Sequence, residues 1–264
     1  MPQTVTVTVN PSPTVSNLTS TVCSGTAFTL SPIDGVDGII PAGTSYTWAA
    51  PVITGGITGG SAQGVSQNSI SDTLTNPTNS AQTATYTVTP KSGSCNGATF
   101  TITVTVNPMP HVITQSANAC SGSAFNTSPA NGGGNIVPIG TTYDWLNPVV
   151  SGGITGGSAQ TLQPSISQTL SNPSNIDQRA IYSVTPTPGI CVGAVFFDTV
   201  TVKAKPSVLD QTRTICSGTA FTVSPAGGGG NIIPVDTTLR SNPSCQRILF
   251  SARSNRSYYI FGIQ

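Results

Sequence analysis

The sequence predicts an all-β protein, built of tandem antiparallel sandwich domains of the immunoglobulin-like kind. Three observations predict it. A decapeptide that opens CSG and closes SP stands at 23–32, 120–129 and 216–225, spaced 97 and then 96 residues apart. Between these marks the chain runs in short alternations of apolar residues with Thr or Ser, bounded by Gly, Pro and Asn. Half-buried strands and their turns read this way. No stretch keeps a helical period long enough for a helix.

The elements follow in order. Residues 1–13, with TVTVTVNP, predict the last strand of a preceding repeat. The first repeat is expected over 14–110. Its strand signals are TAFTLSP (26–32), TSYTWAAPV (44–52), ISDTLTN (70–76), ATYTVTP (84–90) and TFTITVTVNP (99–108). In the last of these the Val side chains share one face and the Thr side chains the other, so one face is buried and one is wet. The second repeat is expected over 111–206, where Trp48 recurs as Trp145, GGITGGSAQ as 152–160 and ATYTVTP as AIYSVTP at 180–186. Trp48, Trp145, Tyr86 and Tyr182 are the expected core aromatics, since a buried Trp removes on the order of 200 Å2 from water. NPMP (107–110) and KAKP (203–206) read as short stiff joints. A truncated third repeat covers 207–238. Residues 239–264 leave the pattern, carry four of the nine Lys and Arg, and read as an off-frame end.

Composition limits the function. Charged residues are 6% of 264, Glu is absent, and the net charge is +1. Such a chain has no field to steer nucleic acid. No apolar stretch reaches the length of a membrane span. The start lies inside an alternating strand with no leader, which suggests a piece of something longer.

Six cysteines are present, and Cys23, Cys95, Cys120 and Cys191 recur two per repeat. With no C-x-x-C spacing and one His, disulfides are the better reading, and they place the chain in an oxidising, extracellular setting. Two connectivities stay open. The default is Cys23–Cys95 and Cys120–Cys191, each closing a loop of about 70 residues worth about 4 kcal/mol on the chain-entropy model. In plain immunoglobulin topology, however, Cys23 and Cys95 lie at opposite ends of a strand spanning about 23 Å. Bonded cysteines need Cα atoms under about 7 Å apart. Cys23 would then reach Cys191 instead. Cys216 and Cys245 are expected to be free or mispaired.

Candidate chemistry is thin, so no catalytic, cofactor or metal residue is predicted and the chain is read as no enzyme. His111 sits alone in the joint. Asp34 and Asp37 offer oxygen ligands to calcium, but the second repeat has Asn131 and Gly134 there. The GGITGG and GGGGN runs lack the Lys and the helix of a phosphate loop. Tyr46, Trp48, Tyr143 and Trp145 would stack on sugar rings if exposed, which makes carbohydrate-binding modules attached to an enzyme outside this fragment the alternative reading.

The CSG opening, the Y-x-W centre, ATYTVTP, GSCNGA and the closing TVTVNP together resemble the PKD-like and immunoglobulin-like tandem repeats of large bacterial surface adhesins, typical of gliding, type IX-secreting bacteria. The resemblance covers 1–238. It implies a non-catalytic, secreted or cell-surface segment acting as stalk, spacer or matrix building block, with neighbouring repeats, surface glycans or its own copies as partners. The C-terminal sorting domain of such proteins is not in the sequence. DTL (72–74) and DTV (198–200) resemble the O-glycosylation acceptors of those bacteria, implying sugar on Thr73 and Thr199.

Overall fold

The computed structural model describes residues 3–6, 9, 11–207, 209, 216 and 227–234, and the backbone of 249–252 and 258–261. Every regular element among them is a strand. The chain divides into two compact units. The first is Met1–His111 with Ala130–Thr141 and Thr187–Gly193; the second is Val112–Pro129, Thr142–Pro186 and the chain from Ala194 on.

The first unit opens with β1 (Thr14–Val15), β2 (Leu18–Cys23), β3 (Ala27–Leu30), β4 (Gly38–Ile39), β5 (Ser45–Trp48) and β6 (Val52–Ile53). It continues with β7 (Gln63–Gln67), β8 (Ile70–Thr73), β9 (Gln82–Ser92), β10 (Cys95–Asn96) and β11 (Phe100–Asn107). The large sheet has the order β2-β11-β9-β5-β7, and β3 pairs with β8 in a second, smaller sheet. The period-2 pattern decides which side of β11 is dry: Phe100, Ile102, Val104 and Val106 are buried, while Thr101, Thr103 and Thr105 are half-exposed. Tyr46, Trp48, Ala84, Tyr86 and Val88 extend this face, and Phe28 and Ile70 close it from the smaller sheet. The Phe28 and Tyr86 rings meet across the two layers with centroids 5.5 Å apart.

One pairing departs from a purely antiparallel scheme. β2 runs parallel to β11, with Leu18 opposite Ile102 and Cys23 opposite Asn107. The two strands are separated by the rest of the repeat, so a crossover joins them where a hairpin could not.

The second unit repeats the plan. Its strands are β12 (Gln115–Cys120), β13 (Ala124–Thr127), β14 (Thr142–Trp145), β15 (Val149–Val150), β16 (Gln160–Gln163), β17 (Ile166–Thr169), β18 (Gln178–Thr187) and β19 (Phe196–Lys203). The order β12-β19-β18-β14-β16 and the β13–β17 pair match the first unit strand for strand. Farther on, β20 (Leu249–Ala252) pairs antiparallel with β21 (Tyr258–Phe261). The other positions of the off-pattern tail, Cys245 among them, lie outside the described residues.

Candidate functional site

What the two repeats share is concentrated in two hydrogen-bonded clusters. The first joins the CSG opening to the NPTN turn. Asn76 is 2% exposed. Its side-chain amide donates to the Ser80 carbonyl at 2.7 Å and to the Val106 carbonyl at 2.9 Å, and its Oδ1 accepts from the Thr78 N–H at 2.9 Å. The Asn76 N–H donates to Ser24 Oγ at 2.9 Å. In the second repeat Asn172 makes the same bonds to Ile176, Val202 and Ser174, and its N–H donates to Ser121 Oγ. An Asn that caps a turn and reaches a strand-end carbonyl leaves few buried polar atoms unpaired, which is what a closed sandwich end requires.

The second cluster surrounds the tryptophans. Trp48 Nε1 donates to the Ser61 carbonyl at 3.1 Å, and Trp145 Nε1 to the Ser158 carbonyl at 3.0 Å. The same serine donates its N–H to Asp72 in one repeat and to Gln168 in the other. Each of these side chains also accepts the hydroxyl of the core tyrosine, Tyr86 at 3.2 Å and Tyr182 at 2.9 Å. Burial pushes both phenols well above the usual tyrosine range, helped by Asp72 beside Tyr86 and Asp198 beside Tyr182. Trp48, Trp145, Tyr86 and Tyr182 are all buried. No sugar ring can stack on either indole without opening the core, so the aromatic platform of the carbohydrate-binding alternative is not presented.

The default disulfide pairing is overturned. Cys23 is bonded to Cys191, with Cα atoms 5.6 Å apart and a sequence separation of 168. Cys191 lies in Thr187–Gly193, the segment that belongs to the first compact unit. The reason is the strand geometry. Cys23 ends β2 opposite Asn107, the last residue of β11, whereas Cys95 lies in the hairpin that precedes Phe100, the first. The length of β11 therefore separates Cys23 from Cys95, about 23 Å at a strand's rise. Cys120 is disulfide-bonded too, and the bond of Cys191 to Cys23 rules out the expected Cys120–Cys191 pair.

The remaining candidates are scattered. His111 is exposed and uses its backbone to pair with Ile136. Asp34 accepts the Ile40 N–H and Asp37 the Ile33 N–H, each at 2.7 Å, so these carboxylates close their own loop. Among the described residues no three His, Cys or Asp side chains gather as a metal site. Thr73 is exposed at the end of β8. Thr199 is half-buried, and Asp198 before it is wholly buried.

Comparison with known families gives two matches to the PKD-like domain, over residues 20–110 and 117–206, which together take in more than half of the chain. The chain belongs to the PKD-like domain family. Its two PKD-like repeats are the two stretches that carry the clusters above. Among curated proteins none matches the chain. Solved structures that are similar include an endo-fucoidan hydrolase of glycoside hydrolase family 107, at 12% identity and TM-score 0.28, covering 75% of this chain and 30% of that one. DIP-gamma IG1+IG2 is similar at 9% identity and TM-score 0.34, covering 74% and 98%. The chicken CNTN1 FN1–FN3 domains are similar at 9% identity and TM-score 0.34, covering 76% and 67%. This chain thus spans under a third of the length of the fucoidan hydrolase chain. No helix of the described residues is long and apolar enough to cross a membrane.

Sequence reasoning picked out the tryptophans and cysteines but missed Asn76, Asn172, Ser24 and Ser121. The signal was present: all four lie inside the strings that recur, CSG and NP[TS]N.

Proposed function

We propose that this chain is a non-catalytic, structural or adhesive segment of a secreted or cell-surface protein, serving as stalk, spacer or matrix building block. The domains run 14–110 and 111–206, with residues 1–13 ending a preceding repeat and 207–238 beginning a further one. The observation that carries the reading is the use to which the recurring residues are put. Asn76 with Asn172, Ser24 with Ser121, Trp48 with Trp145, and Asp72 with Gln168 all bond within their own fold. Repetition has preserved a framework, and frameworks repeated in tandem supply length and surface. The surface-adhesin resemblance and the oxidised cysteines support an extracellular setting, in a bacterium of the gliding, type IX-secreting kind.

Deleting residues 14–206 from the parent protein in the producing cell tests this. The expected result is loss of surface display or of attachment, with no enzymatic activity lost. Turnover that disappears with the segment overturns the reading. A glycan array separates the alternative: saturable sugar binding by the folded chain, competed by the free sugar, would make these carbohydrate-binding modules, with the sugar held somewhere other than on the buried Trp48 and Trp145. The same reading takes Thr73 and Thr199 as sugar acceptors, and intact-mass measurement of the secreted chain checks for added hexose at each.

A further inference from the structure

The disulfide joins the opening cysteine of the first repeat to the closing cysteine of the second, one repeat out of step with the default pairing. We propose that the Cys23–Cys191 bond is a mechanical link, carrying tension past the residues that lie between the two cysteines. The argument is one of covalent path. Force applied at the two ends of the chain enters through the residues before Cys23. It then has two routes to Cys191: through 168 residues of chain, or across one sulfur–sulfur bond. The bond is the short route, so the strands from β3 to β18 lie off the loaded path. Without the bond, tension would have to be held by strand pairing and core packing, which give way one unit at a time.

The position of both cysteines suits the role. Cys23 ends β2, whose whole length pairs with β11, so the loaded end is anchored in the large sheet. Cys191 is 2% exposed, which shields the bond from soluble thiols. The bond forms when two thiols lose two electrons and two protons to a disulfide oxidant of the secretory compartment. A dithiol reductant supplies the same electrons and protons in reverse. The length withheld is large. A separation of 168 residues, at about 3.3–3.6 Å each when drawn out, is about 550–600 Å of chain. Pairing within each repeat would withhold two separate loops of about 70 residues, about 250 Å each.

The biological use of the link rests on the stalk reading, but its existence does not, and the test is separate from the deletion above. The full chain is tethered by tags at its two ends and stretched by optical tweezers, first oxidised and then with a dithiol reductant. The expected result is a gain of about 550–600 Å in contour length on reduction. The same gain should be present without reductant when Cys23→Ser is combined with Cys120→Ser, which also removes the second disulfide. No gain once thiol titration shows both cysteines reduced, or release in steps of about 250 Å, overturns the proposal. Because the reduced wild-type chain carries no substitution, a folding defect in the double variant cannot hide the answer.

Discussion

Asp198 stands on β19 where the first repeat has Ile102 on β11, each opposite the core tyrosine of its own repeat. It is fully buried, and neither carboxylate oxygen has a hydrogen-bond partner. Thr127, also buried and unpartnered, takes the place of Leu30. Two apolar residues that pack in one repeat are thus a polar pair in the other. Burial raises the Asp198 pKa, and the nearby Thr127 hydroxyl opposes the shift only in part. The sign of the pH effect follows. The unfolded carboxyl titrates near 3.9, and the folded one above that, so between the two values the folded state holds more protons. Stability of the second repeat is therefore greatest below about pH 4 and falls as pH rises through the folded pKa. The charged and titratable groups around it are few: Tyr182 opposite, itself held protonated by burial. In Trp48→Phe, where Trp145 alone reports, the urea midpoint should be higher at pH 4 than at pH 7.5. Thr127→Leu with Asp198→Ile should remove most of that difference and raise stability at pH 7.5 by about 2 kcal/mol, the cost of leaving buried polar groups unpaired. A double variant that is less stable at pH 7.5 would show that the pair has a partner of its own.

At the scale of elements, the turn clusters decide whether strands close into a sandwich. Asn76 joins the NPTN turn to the last strand, so Asn76→Ala should lower the stability of the first repeat by about 3 kcal/mol, by orphaning the Val106 carbonyl and releasing the turn. Asn172→Ala should do the same to the second repeat, as read by the denaturation midpoint of the Trp in that repeat. Gly59 needs its residue type for two reasons: its φ is +96°, and a Cβ there would run into the Thr73 carbonyl. Gly59→Ala should therefore cost more than the usual turn substitution, whereas Gly64→Ala, with open space around it, should cost little. The strands themselves were legible because side-chain alternation reports directly on burial, as β11 shows at every second residue. The Asn and Ser clusters were not, because such residues between strands read as turn composition, and only long-range partners such as Ser24 with Asn76 reveal the bond. Disulfide connectivity was legible in part. Strand length spoke against Cys23–Cys95, but the recurrence of two cysteines per repeat made pairing within each repeat the default, and the entropy of closing a loop grows too slowly with its length to decide between them.

The whole molecule holds together almost without charge. Among the described residues one ion pair is seen, Lys203 with Asp177 at 2.7 Å, and both side chains are about half exposed. An exposed pair of this kind contributes about 0–1 kcal/mol. The wet faces of the strands carry Thr and Ser in place of Lys and Glu, so hydration there comes from hydroxyl groups that ions do not screen. The fold's stability comes instead from apolar faces such as Ile102, Val104 and Val106 and from hydrogen bonds inside the sandwich ends. Screening therefore has little to act on. Raising NaCl from 20 mM to 0.5 M cuts the Debye length from about 20 Å to about 4 Å, yet the thermal midpoint should move by no more than about 2 °C. Sulfate should raise the midpoint by strengthening apolar burial, whatever the charge of the chain. Calorimetry in the two salts at matched ionic strength separates the effects. A midpoint that falls steeply with NaCl would mean that ion pairs carry stability which the low charge content gives no reason to expect. A midpoint indifferent to sulfate would count against burial of the alternating Val and Ile faces as the main source of stability.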